Sequence, residues 1–240
     1  SEMCIRDSKY VHLYSSKDDP YSLSDNAVYS LCEDREGGIW VGSYFGGVDY
    51  YPKSYTYFEK YYPKDGDNNL HGKRVREFCE DNKGILWIGT EDGGLNRFDP
   101  KTKTFSFFAP SFGFTNIHGL CMVGDKLWVG TFSKGLKIVD TNTGNILKTY
   151  QKNDSPRSLI DNSIFAICRT TTGDIYLGTM FGLLRYNEQT DDFDRIEELA
   201  GRFVYDIKED SGGNLWLATY VNGAYCYNVS EKKWKNYVHN

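Results

Sequence analysis

An aromatic residue returns in a similar sequence context at intervals of 40 to 48 residues along this chain of 240 residues. The five occurrences are Trp40, Trp87, Trp128, Tyr176 and Trp216. Each stands in a short apolar run that ends in Gly or Ala followed by Ser or Thr, as in GILWIGT at residues 84–90. Periods of 40 to 50 residues are typical of arrays of small supersecondary units. The chain is therefore predicted to be a repeat protein.

Each period contains four runs with the alternating or apolar character of β-strands. In the second repeat these runs are residues 74–80, 86–90, 95–99 and 105–109. An Asp-x-x-Gly sequence stands between the first two runs at residues 34–37, 81–84 and 210–213. Asp caps a tight turn through its side chain and Gly adopts positive φ, so these residues predict hairpins. The one helix-like segment, residues 197–200, is too short to be a stable helix.

Four antiparallel strands in each repeat predict an all-β fold, a β-propeller of about five four-stranded blades, in preference to a linear stack of hairpins. The predicted blades are residues 27–66, 67–112, 113–154, 155–198 and 199–240. Each aromatic anchor is expected to pack in the core between adjacent blades. Residues 9–26 resemble an outer strand and linker of a preceding blade, which indicates a fragment of a longer propeller. Residues 1–8 fit no repeat and are interpreted as a non-native or disordered leader.

The charge and the apolar pattern exclude some classes of function. A formal net charge of −5 argues against nucleic-acid binding, which normally requires a basic face. No run of about 18 apolar residues is present, so we expect no membrane contact by this segment. The first eight residues, SEMCIRDS, also lack the apolar core of a signal peptide.

Four of the six cysteines, Cys32, Cys79, Cys121 and Cys168, precede an anchor by seven or eight residues. Packed sheets lie about 10 Å apart, whereas a disulfide needs Cα atoms roughly 4.4 to 6.8 Å apart. These four residues are therefore predicted to be small buried hydrophobic residues, and Cys4 and Cys226 are left unassigned.

The sequence VYSLCEDREGGIWVGSYFGGVDYY at residues 28–51 resembles the two-component regulator propeller repeat, as do residues 75–98 and 204–227. The resemblance implies the periplasmic sensor region of a Bacteroidetes hybrid two-component system, whose seven-bladed propellers precede a small β-sandwich, a membrane helix and a histidine kinase. It also implies a homodimeric parent, with the remaining blades and downstream sensor domains as partners. The third repeat departs from the motif because it is one residue shorter and has Gly124-Asp125 in place of Asp-x-x-Gly. The fourth has Tyr176 as its anchor, and the fifth has Ala218 in place of Gly. We expect these departures to leave the fold intact.

The customary ligand face of a propeller is formed by loops at the mouth of its central channel, and here those loops combine aromatic and polar residues. Aromatic rings stack on the C–H faces of sugars, and polar groups bind the hydroxyls. An oligosaccharide ligand is therefore predicted, although the rings are also compatible with a role as caps on the blade edges. The candidate binding residues are Tyr44, Phe45, Lys73, Arg74, Glu91, Asp92, Phe132, Lys134, Phe181, Arg202, Tyr220 and Asn222.

Positive charges at the start of the first strands suggest an acidic oligosaccharide. Lys73, Arg74 and Arg202 are expected to rim the channel, where Arg binds a carboxylate or sulfate bidentately. Solvated charges with no ligand are the alternative.

No pattern predicts catalysis, a metal or a cofactor. The four histidines are isolated in the sequence, and adjacent carboxylates on a strand point to opposite faces. The repeat superficially resembles the Asp-box of sialidases, but its Asp and Gly are three residues apart where the Asp-box has two. The prediction is a non-catalytic ligand-sensing segment. The alternatives are a propeller enzyme acting on polysaccharide, such as a lyase or glycosidase, and a protein-docking propeller.

Overall fold

A computed structural model of the protein describes residues 12–19, 21–53, 61–64, 66, 68–108 and 116–239. The chain divides into two compact units, residues 1–65 and residues 66–240. Apart from a 3-10 turn at Glu197–Leu199, the regular structure of the described residues is β-strand. None of their helices has the length and apolar character needed to cross a membrane.

The first unit contains one antiparallel sheet of three strands, β1 (Val28–Glu33), β2 (Ile39–Ser43) and β3 (Gly47–Tyr51), in that order. The predicted fourth strand lies partly outside the described residues, and its described residues, Tyr61 and Tyr62, are not in a strand. Of residues 9–26, predicted as an outer strand and linker, 9–11 and 20 lie outside the described residues, and the others are not in a strand.

The second unit contains four antiparallel sheets of four strands, each in the consecutive order of a propeller blade. The all-β propeller prediction is thereby confirmed for its architecture. The sheets are β4 (Val75–Glu80), β5 (Leu86–Thr90), β6 (Gly94–Asp99), β7 (Thr104–Phe107); β8 (Ile117–Val123), β9 (Lys126–Thr131), β10 (Leu136–Asp140), β11 (Ile146–Tyr150); β12 (Ile164–Arg169), β13 (Ile175–Thr179), β14 (Gly182–Asn187), β15 (Asp192–Ile196); and β16 (Val204–Glu209), β17 (Leu215–Thr219), β18 (Ala224–Asn228), β19 (Lys233–Tyr237).

The first strand of each blade, which we call its inner strand, packs on the inner strand of the next blade in the second unit. It also packs on the second strand of the blade before it, at the Gly that stands two residues after the aromatic anchor. A Cβ atom on Gly130 of β9 would come within 2.8 Å of Ile164 Cγ2 and 2.9 Å of the Ile164 carbonyl oxygen on β12. Glycine recurs here because two blades approach closely.

The anchors differ in burial, which corrects part of the prediction. Trp87 and Trp128 are buried, at 0% and 5% exposure, whereas Trp40 and Trp216 are exposed, at 44% and 38%. The buried anchors stand on β5 and β9, each of which is covered by the inner strand of the next blade. No inner strand among the described residues covers β17, so Trp216 stays open to solvent.

The cysteines follow the prediction with one exception. Cys79, Cys121 and Cys168 are half-buried free thiols, and Cys226 is a buried one. Burial raises the pKa of Cys79, Cys121 and Cys168 to about 11, so these thiols stay protonated at neutral pH. Cys32 is exposed, contrary to the prediction, because β1 presents all of its residues to solvent. Cys4 lies outside the described residues.

Candidate functional site

A β-bulge occurs at the second residue of the inner strand in all five sheets. In β4, for example, the pairing register with β5 shifts between Val75 and Glu77, so that Arg76 has no ladder partner. A bulge adds one residue to a strand and redirects its side chain, often beside a functional site. The bulged residues of the five inner strands are Tyr29, Arg76, His118, Phe165 and Tyr205.

The four bulged residues of the second unit, Arg76, His118, Phe165 and Tyr205, lie together and are called the bulge cluster here. The guanidinium carbon of Arg76 lies 4.4 Å from the centre of the Tyr205 ring. The Phe165 ring centre is 4.6 Å from that of His118 and 5.6 Å from that of Tyr205. The bulges therefore bring side chains from four inner strands to one place.

Further aromatic rings surround the bulge cluster from the adjoining loops. Phe132, in the loop between β9 and β10, lies 5.7 Å from His118 between ring centres. Phe203, which precedes β16, lies 4.5 Å from Phe165. Tyr220, in the loop between β17 and β18, is stacked 5.6 Å from Phe203. The result is a continuous aromatic surface with one imidazole and one guanidinium in it.

Buried polar atoms without partners stand at this site. His118 is 6% exposed, and neither of its ring nitrogens has a hydrogen-bond partner among the described residues. The side-chain oxygen of Asn116 is unpartnered in the same way. An unpaired buried polar group costs about 1 to 3 kcal/mol, so a hydroxyl or water that reached these atoms would relieve this cost.

The imidazole of His118 is neutral at neutral pH. Burial lowers the pKa of His118 to about 4, and the positive charge of Arg76 lowers it further than the negative charge of Glu91 raises it. A neutral imidazole has one donor and one acceptor nitrogen. His118 can therefore both donate to and accept from a ligand.

Arg76 forms an ion pair with Glu91, with 3.6 Å between Nη1 and Oε1. Both side chains are partly exposed, so the pair adds little stability. Its main effect is to balance the guanidinium charge, which leaves the site without excess charge.

The structure brings Glu91 and Phe132 into contact with the bulge cluster, and Tyr220 stacks on Phe203 beside it. Asp92 has another role, because its Oδ1 accepts the backbone N–H groups of Lys73 at 2.9 Å and Arg74 at 3.1 Å. The backbone N–H groups of Arg74 and then Lys73 stabilise the charged carboxylate and so lower the pKa of Asp92. The carboxylate fixes the chain entering β4, and the side chains of Lys73 and Arg74 are exposed.

The other predicted residues divide between the two units. Tyr44 and Phe45 belong to the first unit, where Tyr44 lies 4.9 Å from the bulged Tyr29 and 4.2 Å from Phe45 between ring centres. In the described part of the second unit, four residues make no ring contact or ion pair with the cluster. They are Lys134, Phe181, Arg202 and Asn222.

The sequence reasoning missed Arg76, His118, Phe165, Phe203 and Tyr205. Four of these occupy equivalent bulged positions, yet they are four different residue types. No shared residue type marks the bulged position in the sequence. The available signal is the β-branched residue directly before each bulge, Val75, Ile117, Ile164 or Val204, followed by a residue whose type varies freely.

The chain is similar to a family model described as two component regulator propeller, at residues 22–45, 69–92 and 198–221. No match was found among curated proteins. Among solved structures, it is 26% identical, with a TM-score of 0.61, to the extracellular domain of the hybrid two-component system BT3049 from B. thetaiotaomicron. That match covers 90% of this chain and 29% of the other.

Two other similarities show the fold alone. The extracellular domain of BT4673, from the same organism, is 23% identical with a TM-score of 0.58, over 93% of this chain and 28% of the other. Virginiamycin B lyase from Staphylococcus aureus is 12% identical with a TM-score of 0.54, over 88% of this chain and 69% of the other. The chain therefore spans less than a third of the length of the two-component proteins that it matches.

Proposed function

Three segments of the chain match the two component regulator propeller family model, and we propose that the chain is a ligand-sensing extracytoplasmic segment of a hybrid two-component system. In this proposal it binds an oligosaccharide at the bulge cluster and catalyses no reaction itself. The histidine kinase, a homodimeric parent and a periplasmic location belong to the same proposal.

One observation carries the choice of ligand: partnerless buried polar atoms stand beside a continuous aromatic surface. The rings of Phe132, Phe203 and Tyr220 suit the C–H faces of sugars. The neutral His118 and the oxygen of Asn116 suit hydroxyl groups, which donate and accept. An oligosaccharide supplies both kinds of surface in one molecule.

Binding at this site would act on signalling through the inner strands. The bulge cluster takes one residue from each of β4, β8, β12 and β16, so a ligand there contacts four blades together. A ligand shifts an equilibrium between two arrangements only by its difference in affinity for them. A relative displacement of blades is the change that such a ligand would oppose or favour.

The acidic character of the ligand is a separate part of the proposal. Lys73, Arg74 and Arg202 are exposed and available to a carboxylate or sulfate. The bulge cluster itself favours neutral hydroxyls, because Arg76 is paired with Glu91. An oligosaccharide with neutral units at the cluster and an acidic unit at the rim satisfies both.

Isothermal titration calorimetry of the chain with neutral, uronate-containing and sulfated oligosaccharides tests the proposal. We expect Phe132→Ala to weaken binding by about 10-fold or more, since one stacked ring is worth roughly 1 to 3 kcal/mol. Phe181→Ala is the matched control, because Phe181 is also an exposed loop aromatic, at 57% against 44% for Phe132, and lies outside the cluster. Equal weakening by both variants, or no binding of any oligosaccharide, would contradict the proposal.

A further inference from the structure

A second cleft, separate from the bulge cluster, lies beside the turns that join β8 to β9 and β12 to β13. Its volume is about 920 Å³, which is in the range of small-molecule sites. Trp128, Tyr150 and Tyr186 line it together with Arg169. The two tyrosine hydroxyls and the Lys148 ammonium all bond to Asp191, so this wall is held in place.

The anchor Trp128 lacks the acceptor that the other tryptophan anchors have. In three repeats the Asp of the Asp-x-x-Gly turn accepts the indole N–H of the anchor, at 3.0 Å from Trp40, 3.1 Å from Trp87 and 2.9 Å from Trp216. In the third repeat the turn is shortened to Gly124-Asp125. Trp128 is 5% exposed and has no hydrogen-bond acceptor among the described residues.

Arg169 lines the same cleft as this unpaired indole and has no ion-pair partner in the described part of the chain. Burial raises the pKa of Cys121, the cross-strand partner of Trp128, and the positive charge of Arg169 offsets a small part of this effect. Two other cationic residues of the cleft form ion pairs, Arg185 with Asp174 and Lys148 with Asp191.

We propose that this cleft binds a small molecule through its carboxylate, which takes the place of the missing Asp side chain. The carboxylate would accept the Trp128 indole N–H and the Arg169 guanidinium, and Arg binds carboxylates bidentately. Tyr150 and Tyr186 supply aromatic walls for the body of the ligand. Lys126, Asp125 and Glu188 also line the cleft, and none of the three forms an ion pair with another described residue.

Nuclear magnetic resonance of the tryptophan indole N–H groups tests this inference, with D-glucuronate as the probe and D-glucose as its uncharged counterpart. The chain has five tryptophans, and Trp128→Phe assigns the signal of interest. We expect glucuronate to shift the Trp128 signal saturably and glucose to leave it unchanged. An identical response to both sugars, or no response to glucuronate, overturns the proposal.

Two variants separate binding from folding. Arg169 is exposed, so Arg169→Gln should fold normally and bind glucuronate about 10-fold or more weakly. Replacing residues 123–125 by the Asp-Asn-Lys-Gly of residues 81–84 restores an internal carboxylate, and it should abolish the response while stabilising the chain. Retained glucuronate binding in this loop variant contradicts the proposal.

His118→Phe should leave the response unchanged, so a failure here is distinct from a failure of the site at the bulge cluster.

Discussion

Trp87 donates its indole N–H to Asp81 Oδ2 at 3.1 Å, and both residues are buried. The other carboxylate oxygen of Asp81 accepts the backbone N–H groups of Lys83 at 2.9 Å and Ile85 at 3.1 Å. One side chain therefore holds the turn between β4 and β5 closed and also fixes the ring that fills the space between blades.

Removing this carboxylate should destabilise the chain strongly. Asp81→Ala leaves a buried indole N–H and two backbone N–H groups without their acceptor, and we expect a loss of roughly 2 to 4 kcal/mol in the free energy of unfolding. Urea denaturation measures it. Asp210→Ala is the matched control, because its anchor Trp216 is exposed and water can replace the lost acceptor. Equal losses in the two variants would show that burial of the anchor does not matter.

The buried imidazole should make stability depend on pH. Burial lowers the pKa of His118 to about 4, against an ordinary value near 6.5, so the unfolded chain binds this proton more readily than the folded one. The contribution is fully present above pH 6.5 and is lost as the pH falls towards 4, by about 3 kcal/mol.

His118→Phe removes this titration and keeps an aromatic ring in the space. Urea denaturation of both proteins between pH 7 and pH 4 measures the difference, because carboxylate titrations act on both alike. A difference that stays constant over this range would falsify the assignment.

The ion pair beside His118 should tune its pKa in opposite directions from its two ends. Arg76 lowers the pKa of His118 and Glu91 raises it. Arg76→Gln should therefore raise the pKa, and Glu91→Gln should lower it. Nuclear magnetic resonance titration of the imidazole measures both changes. A shift of the same sign in the two variants would mean that altered burial outweighs charge.

The glycine two residues after the aromatic anchor should resist substitution wherever a following blade covers it. Gly130→Ala places a methyl group against Ile164, including its backbone carbonyl, and we expect a loss of roughly 1 to 3 kcal/mol. The natural Ala218 shows where the restriction ends, since no inner strand among the described residues covers it. Its reversal, Ala218→Gly, should cost about 0.5 to 1 kcal/mol through backbone freedom alone. Thermal and urea denaturation compare them, and a neutral Gly130→Ala would contradict the close-approach explanation.

The strands and turns of the second unit could be predicted because their signals are local. The runs of the second repeat agree with β4, β5 and β6 to within one residue at each end. The Asp-x-x-Gly sequence correctly indicated a turn. Its second role, as acceptor for an indole six residues later, could not be read from turn chemistry, since it depends on the pairing of β4 with β5.

The candidate site was predicted less well because the bulges break the simple alternation of side chains. Strict alternation along β8 would assign His118 to one face of the sheet. The bulge between Ile117 and Gly119 breaks this alternation and changes which residues His118 contacts. The loop residues Phe132 and Tyr220 were found because aromatic side chains stand out in turns. Trp40 and Trp216 were placed in the core because a repeat motif does not reveal which of its copies is covered.

The bulge in every inner strand has a consequence for how such chains diversify. In all five inner strands the bulged residue follows a β-branched residue and has no ladder partner, so strand pairing does not constrain its side-chain type. Tyrosine, arginine, histidine and phenylalanine already occupy the bulged position in one chain. These residues can be exchanged one at a time. The ligand specificity of the site can therefore change while the propeller scaffold stays the same.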